Sequence, residues 1–101
     1  ATVAARVARA RAVQAGRYAA HPGLRVNADA EGAALDAVAT PDAEGRSLLA
    51  RVAERFGLSA RGYHRVMRVA RTIADLDGSD AVLKRHIAEA VSFRLAVGVL
   101  A

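Results

Sequence analysis

Between Gly57 and Gly78 runs GLSARGYHRVMRVARTIADLDG, a stretch with no proline and one internal glycine, and the rest of the chain has to fold around it. Its length and spacing predict a single helix. At about 100° per residue, Tyr63, Val66, Met67, Ala70, Ile73 and Ala74 fall within roughly 120° of one another, the width of a core-facing stripe. Ser59 is a good N-cap for this helix, and Gly57 ends the helix before it, where a left-handed residue is needed. Arg61, Arg65 and Arg68 lie on the opposite side. Such a face is either solvated, its charge partly offset by Asp75 and Asp77, or turned toward an anion. Periodicity alone does not choose between the two.

The rest of the chain supplies partners of the same kind. Of the residues, 53% are hydrophobic but alanine supplies about half of that, and aromatics are only 4%. Strong helix formers therefore dominate while strand-favouring residues are scarce, which predicts an all-α fold. A chain of 101 residues is one domain with one core. The expected fold is a single small helical domain of four to five helices, near residues 2–20, 28–39, 41–56, 59–77 and 84–97.

In the first of these, Val3, Val7, Ala10, Gln14 and Tyr18 make a narrow seam with Arg6, Arg9 and Arg17 beside it. Little area is buried by such a seam, so this helix is expected to dock on a neighbour. His21-Pro22-Gly23 stops it. Asn27 is expected to cap the second helix, and Thr40 the third, with Pro41 at the first helical position. Leu48, Leu49, Val52, Ala53 and Phe56 give the third helix its core face. Ile87, Val91 and Leu95 form the inner stripe of the last, with Val82 as a plug beside it.

Charge is distributed unevenly. Residues 1–25 carry five arginines and no acid, whereas 26–58 carry three arginines and six acids, within a net charge of +5. Fourteen of the fifteen basic residues are Arg, the side chain suited to forked contacts with phosphate or carboxylate. There is no cysteine, hence no disulfide and no thiolate metal site, which fits a reducing cytoplasm. No apolar run approaches the ~20 residues of a membrane span. The chain opens without Met in what reads as mid-helix, the pattern of a fragment of a larger protein.

Catalytic constellations are missing. His21, His64 and His86 have no metal-ligand spacing, and His86 with Glu89, three residues on, reads as a surface pair. Neither a GxxxxGKS/T loop nor GxGxxG is present, so this fragment alone is not an enzyme and holds no nucleotide unaided. Arg61 stands in the first turn of its helix, where a cation opposes the macrodipole. Helix N–H groups and a guanidinium together would suit a phosphate there.

The block LSAR-x-YHR-x-x-R-x-ARTIADL, followed by H-x-x-EA-x-x-x-R at His86 to Arg94, resembles the C-terminal domain of the magnesium-chelatase-like AAA+ ATPases of the ComM/YifB family. The segment from Gln14 to Ala28 fits its arginine- and glutamine-rich helix followed by Asn-Ala. The resemblance implies the helical lid of an AAA+ protein, behind an ATPase core that would bind ATP and Mg2+. By its place seven residues before Arg68 it matches Arg61 to the sensor-2 arginine, which contacts the γ-phosphate of ATP on its own or a neighbouring subunit's core within a hexamer. Arg65 and Arg68 are expected to make further anion or interface contacts. Family members are associated with DNA branch migration and natural transformation, and metal insertion into porphyrin belongs to their chelatase cousins. Two departures stand out: Gly62, where many relatives have Ala, and an apolar tail from Leu95 to Ala101 in place of a polar one.

Two alternatives to the lid reading stay open. A basic helical module could neutralise nucleic-acid phosphates with the arginines of the first 25 residues, although no aromatic platform interleaves them. A protein-interaction module could set the same arginines against acidic residues of a partner.

Overall fold

The computed structural model describes residues 2–96, with side chains as far as Phe93. Five helices account for most of it: α1 (Val3–Arg17), α2 (Gly32–Ala39), α3 (Ala43–Phe56), α4 (Ala60–Leu76) and α5 (Lys84–Ala96), with a single 3-10 turn at Asn27–Asp29 before α2. The fold is all-α. The long helix α4 is the element the others share: α1, the 3-10 turn, α2 and α5 all pack on it, and α3 packs on α5.

Both bracketing glycines work as the sequence implies. Gly57 and Gly78 adopt φ of 59° and 74°, the left-handed region that costs glycine nothing. Behind them, Leu58 N–H reaches back to the Ala53 carbonyl at 3.0 Å and Ser79 N–H to the Ala74 carbonyl at 2.8 Å, satisfying carbonyls that a helix end otherwise leaves open. Ser59 caps α4, its hydroxyl accepting from Gly62 N–H at 3.1 Å.

The core is formed where the apolar stripes meet. Val66, Met67, Ala70 and Ala74 of α4 are buried against Leu35 and Ala39 of α2, Leu49 and Val52 of α3, and Ile87, Ala90 and Val91 of α5, while Tyr63 and Ile73 are half-buried at its edge. Each large side chain so buried contributes about 1.5–3 kcal/mol relative to exposure. Val82 is buried as expected and forms an isolated bridge with Pro41, with Asp42 N–H donating to the Val82 carbonyl at 3.0 Å. This clip brings the starts of α3 and α5 together.

Several details depart from the sequence expectations. α1 ends at Arg17, short of residue 20, and begins with Thr2 as a true cap whose hydroxyl accepts from Ala5 N–H at 3.0 Å. Only Ala10, Gln14 and Tyr18 of its seam are buried, whereas Val3 is exposed. Asn27 caps no helix; it is buried in the 3-10 turn, and α2 starts five residues later at Gly32. The cap of α3 is Asp42, not Thr40: its carboxylate accepts from Gly45 N–H at 2.7 Å. Pro41 is occupied by the bridge to Val82, and the Thr40 hydroxyl turns back to the Asp36 carbonyl. Phe56, at the last residue of α3, is exposed where the core layer ends. The Leu95 side chain and the apolar tail from residue 97 onward lie outside what the structure describes.

Candidate functional site

The arginine face of α4 is present, and the structure divides it. Arg61 and Arg65 are exposed and Arg68 is half-buried. Arg61, His64 and Arg68 line a groove of about 310 Å³ together with Glu31 and Gly32. Glu31 is the N-cap of α2 but makes no side-chain cap hydrogen bond, so the positive end of α2 opens toward the same space. Arg68 is the best held of the three: one Nη1–H donates to the Ala30 carbonyl at 3.1 Å, leaving four N–H donors of its fork. Among the described residues, neither Arg61 nor Arg65 is ion-paired.

A second groove, about 430 Å³, continues along α4 past Arg68. It is lined by Ala28, Arg65, Arg68, Val69, Thr72 and Ile73. Arg68 therefore borders both grooves, while Arg61 and Arg65 each border one. Sequence reasoning brought the three arginines to one face, and the separation arises from Ala30 to Gly32, which packs against that face.

Beneath the face lies a buried polar network that sequence reasoning missed. Asp75, read as a solvated counter-charge, has a fully buried side chain. Its two oxygens accept four hydrogen bonds: Oδ1 from Arg17 Nη2 at 2.7 Å and from Arg71 Nε at 3.1 Å, and Oδ2 from Arg17 Nη1 at 2.8 Å and Asn27 Nδ2 at 2.9 Å, and Arg71 Nη2 lies 2.9 Å from Oδ1 as an ion-pair contact. Asn27 is satisfied on both sides: Nδ2 also donates to Thr72 Oγ1 at 3.1 Å, and Oδ1 accepts from Arg17 Nη1 at 3.0 Å and the Tyr18 hydroxyl at 2.8 Å. Its backbone N–H donates to Gln14 Oε1 at 2.9 Å. The remaining Arg71 donors hold the carbonyls of Val38, Ser79 and Asp80 at 2.7–3.2 Å. This is a densely hydrogen-bonded network of the kind that makes a buried ion cluster tolerable.

The ionisation of these groups follows from their surroundings. Burial pushes the Asp75 carboxyl up, but the hydrogen bonds from Arg17 and Asn27 and the charges of Arg71 and Arg17 outweigh it, and the net shift is downward. Burial lowers Arg71, whereas the hydrogen bonds to Asp75 raise Arg17 despite partial burial. Burial also raises the Tyr18 phenol. The sequence carried one signal of this cluster. Arg71 and Asp75 stand four apart, the spacing of an ion pair along one side of a helix, and they flank the Met67, Ala70, Ala74 stripe between it and the arginine face.

His86 is also repositioned relative to the sequence reading. It is buried, not a surface partner of Glu89. Nδ1 accepts from Leu83 N–H at 2.9 Å and Nε2 lies 3.0 Å from Asp77 Oδ2. An acceptor Nδ1 fixes the Nε2–H tautomer, which donates to Asp77. With Arg85 2.8 Å from the same oxygen, the Asp77 carboxyl is held at about 2. The start of α5 is thereby tied to the end of α4.

A compact bundle built on a central α4, with an exposed arginine face beside a buried Arg17–Asp75–Arg71 cluster, is a small all-helical domain. The chain belongs to the family described as magnesium chelatase, subunit ChlI C-terminal, whose model matches residues 1–94. It is similar to the competence protein ComM of Haemophilus influenzae, 44% identical over 52 residues, which is 52% of this chain and 10% of that protein. It is also similar to the uncharacterized protein YifB of Escherichia coli, 55% identical over 38 residues, 38% of this chain and 8% of that protein. The matched stretches thus span a tenth or less of these relatives. No solved structure gives a significant match. Among the described residues, no helix is long and apolar enough to cross a membrane.

Proposed function

We propose that this chain is the helical lid of a magnesium-chelatase-like AAA+ ATPase and that Arg61 is its sensor-2 residue. In this reading Arg61 meets the γ-phosphate of ATP held, with Mg2+, by the ATPase core of its own or a neighbouring subunit in a hexameric ring. The observation that carries it is the state of Arg61: exposed in the first turn of α4, without an ion pair among the described residues, and sharing a groove with Arg68 and the open N-terminal end of α2. An arginine already spent on a carboxylate would have little to offer a phosphate. One whose donors are free can stabilise charge as it develops on the transferring group. Family membership supports the reading.

The motor would be cytoplasmic and would act on DNA, as the family resemblance implies. The test is Arg61→Ala in the longer polypeptide that carries the ATPase core. Loss of about 10²-fold in ATP turnover, together with loss of nucleotide-dependent assembly, is expected. Unchanged turnover and assembly would refute the role.

A second reading rests on α1, where Arg9 and Arg11 are exposed and make no ion pair among the described residues. They could contact nucleic-acid phosphates directly. Titration of this domain with duplex and single-stranded DNA at two salt concentrations separates the readings, since absence of binding at low salt rules the second out.

A further inference from the structure

The groove beyond Arg68 shares only Arg68 with the groove of Arg61, and its occupant does not depend on the Arg61 reading. Its floor is Val69 and Ile73 of α4 with Ala28 of the 3-10 turn, and its charged lining consists of Arg65 and Arg68. Among the described residues, no acidic side chain lines it. Its volume of about 430 Å³ lies in the range of sites that bury a ligand of useful size. From Arg65 to Ile73 it follows α4 for about 12 Å, two helical turns.

The chemistry of the lining narrows the occupant. Among the described residues Thr72 is the lone polar side chain there besides the arginines, and its hydroxyl is already spent: it donates to the Arg68 carbonyl at 3.0 Å and accepts from Asn27 Nδ2 at 3.1 Å. Among the described residues no aromatic ring lines the groove on which a base could stack, and its floor is apolar instead. What remains is an apolar trough beside two cations. Arg68 is pre-positioned by its bond to the Ala30 carbonyl, which lowers the ordering cost of a forked contact to a carboxylate.

We propose that this groove docks an acidic amphipathic helix of a partner protein. Two apolar side chains, one helical turn apart, fill the Val69–Ile73 trough, and flanking carboxylates pair with Arg65 and Arg68. This is the helix-in-groove mode of recognition, in which apolar anchors supply affinity and charge supplies orientation. The helix lies along α4 on the Val69–Ile73 side of Arg68 and does not engage Arg61.

The test uses the ¹⁵N-labelled 101-residue chain and a capped 14-residue peptide with two leucines four apart among glutamates. A control peptide of identical charge carries serine at both leucine positions. Amide shifts at Ala28, Val69 and Ile73 on adding the leucine peptide are expected, with affinity reduced at least tenfold for the serine peptide and for Arg65→Glu. Arg65 is exposed, so that variant keeps the fold, which an unchanged amide spectrum away from the groove verifies. Equal binding of both peptides, no effect of Arg65→Glu, or no shifts at the three residues would each overturn the proposal. So would concentration-dependent shifts at the same residues in the free chain, which would mean a second copy in the groove. Saturation of those residues by a 12-nucleotide single strand in preference to the peptide would likewise overturn it.

Discussion

Arg17 of α1 grips both carboxylate oxygens of Asp75 of α4, at 2.8 and 2.7 Å, across 58 residues of sequence. α1 has little apolar surface to offer α4, since only Ala10 and Tyr18 among its hydrophobic and aromatic residues in or beside the helix are buried. The forked pair, with Gln14 and Asn27 beside it, therefore sets where α1 sits. The network is also expensive to break, because removal of one partner leaves the others charged or polar and buried.

Asp75→Asn should accordingly cost about 3–5 kcal/mol, a large part of the 5–15 kcal/mol that typically stabilises a domain. The shape is kept, but Arg17 and Arg71 lose their shared anion. Chemical denaturation checks this. The pH dependence has a definite sign. The folded-state carboxyl is lowered from its ordinary 3.8, so its stabilisation is complete above about pH 4 and is lost as pH falls further. Asp75→Asn should lack that part of the acid dependence.

How far the sequence already carried this architecture differs from element to element. α4 was legible because its apolar residues keep a 3.6-residue period and glycines in the left-handed region end α3 and α4. The faces of α3 and α5 followed for the same reason, through Leu49, Val52, Ile87 and Val91. The caps of α2 and α3 were not legible. Thr40 and Asp42 are both good caps, and the choice depends on the Pro41–Val82 bridge, a contact between segments 41 residues apart. Asn27 looked like a cap because its side chain suits one, whereas its partners lie at residues 14, 17, 18, 72 and 75. Of the site, periodicity gave the arginine face and resemblance selected Arg61. The division into two grooves needed the placement of Ala28 to Gly32, which no local pattern encodes.

The Asp77–His86 contact predicts a titration. Asp77 is held at about 2, chiefly by its hydrogen bond from His86 and next by that from Arg85. A carbon-detected NMR titration of the Asp77 carboxyl should give a midpoint near that value. His86→Ala removes the first of these donors and should move the midpoint up toward the ordinary 3.8. Because a depressed carboxylate stabilises the fold above its unfolded value, the stabilisation is lost as pH falls from about 4 to about 2. A midpoint unmoved by His86→Ala would mean that Arg85 alone sets it.

Gly45 predicts the opposite of what helix propensity would suggest. An added Cβ would lie 2.9 Å from Pro41 Cβ, 2.9 Å from the capping Asp42 Oδ1 and 3.3 Å from Lys84 N. Alanine in a helix interior gains about 1 kcal/mol over glycine, but relieving such crowding costs about 1–3 kcal/mol. It would also push away the carboxylate that accepts from Gly45 N–H at 2.7 Å. Gly45→Ala should therefore lower stability by roughly 1–2 kcal/mol, read from the denaturation midpoint.

Gly62 lies one residue past Arg61 and should respond the other way. A Cβ there would meet Ser59 Oγ at 3.5 Å and Leu58 Cδ2 at 3.7 Å, ordinary contact distances that need no rearrangement. The Gly62 N–H still donates to Ser59 Oγ at 3.1 Å, a bond that alanine keeps. Gly62→Ala should thus raise stability by about 0.5–1 kcal/mol, with an unchanged denaturant slope. If Arg61 has the sensor-2 role proposed above, the functional consequence separates two pictures of it. If the first turn of α4 holds Arg61 in its working position, the variant in the longer polypeptide should retain ATP turnover, because the backbone it stiffens is already helical. If Arg61 has to swing away on each cycle, turnover should fall although the domain is more stable. The geometry favours the first outcome: α4 is helical from Ala60 onward, Ser59 caps it, and Gly62 has no left-handed backbone to protect. A more stable domain with reduced turnover would show that the glycine serves motion at Arg61.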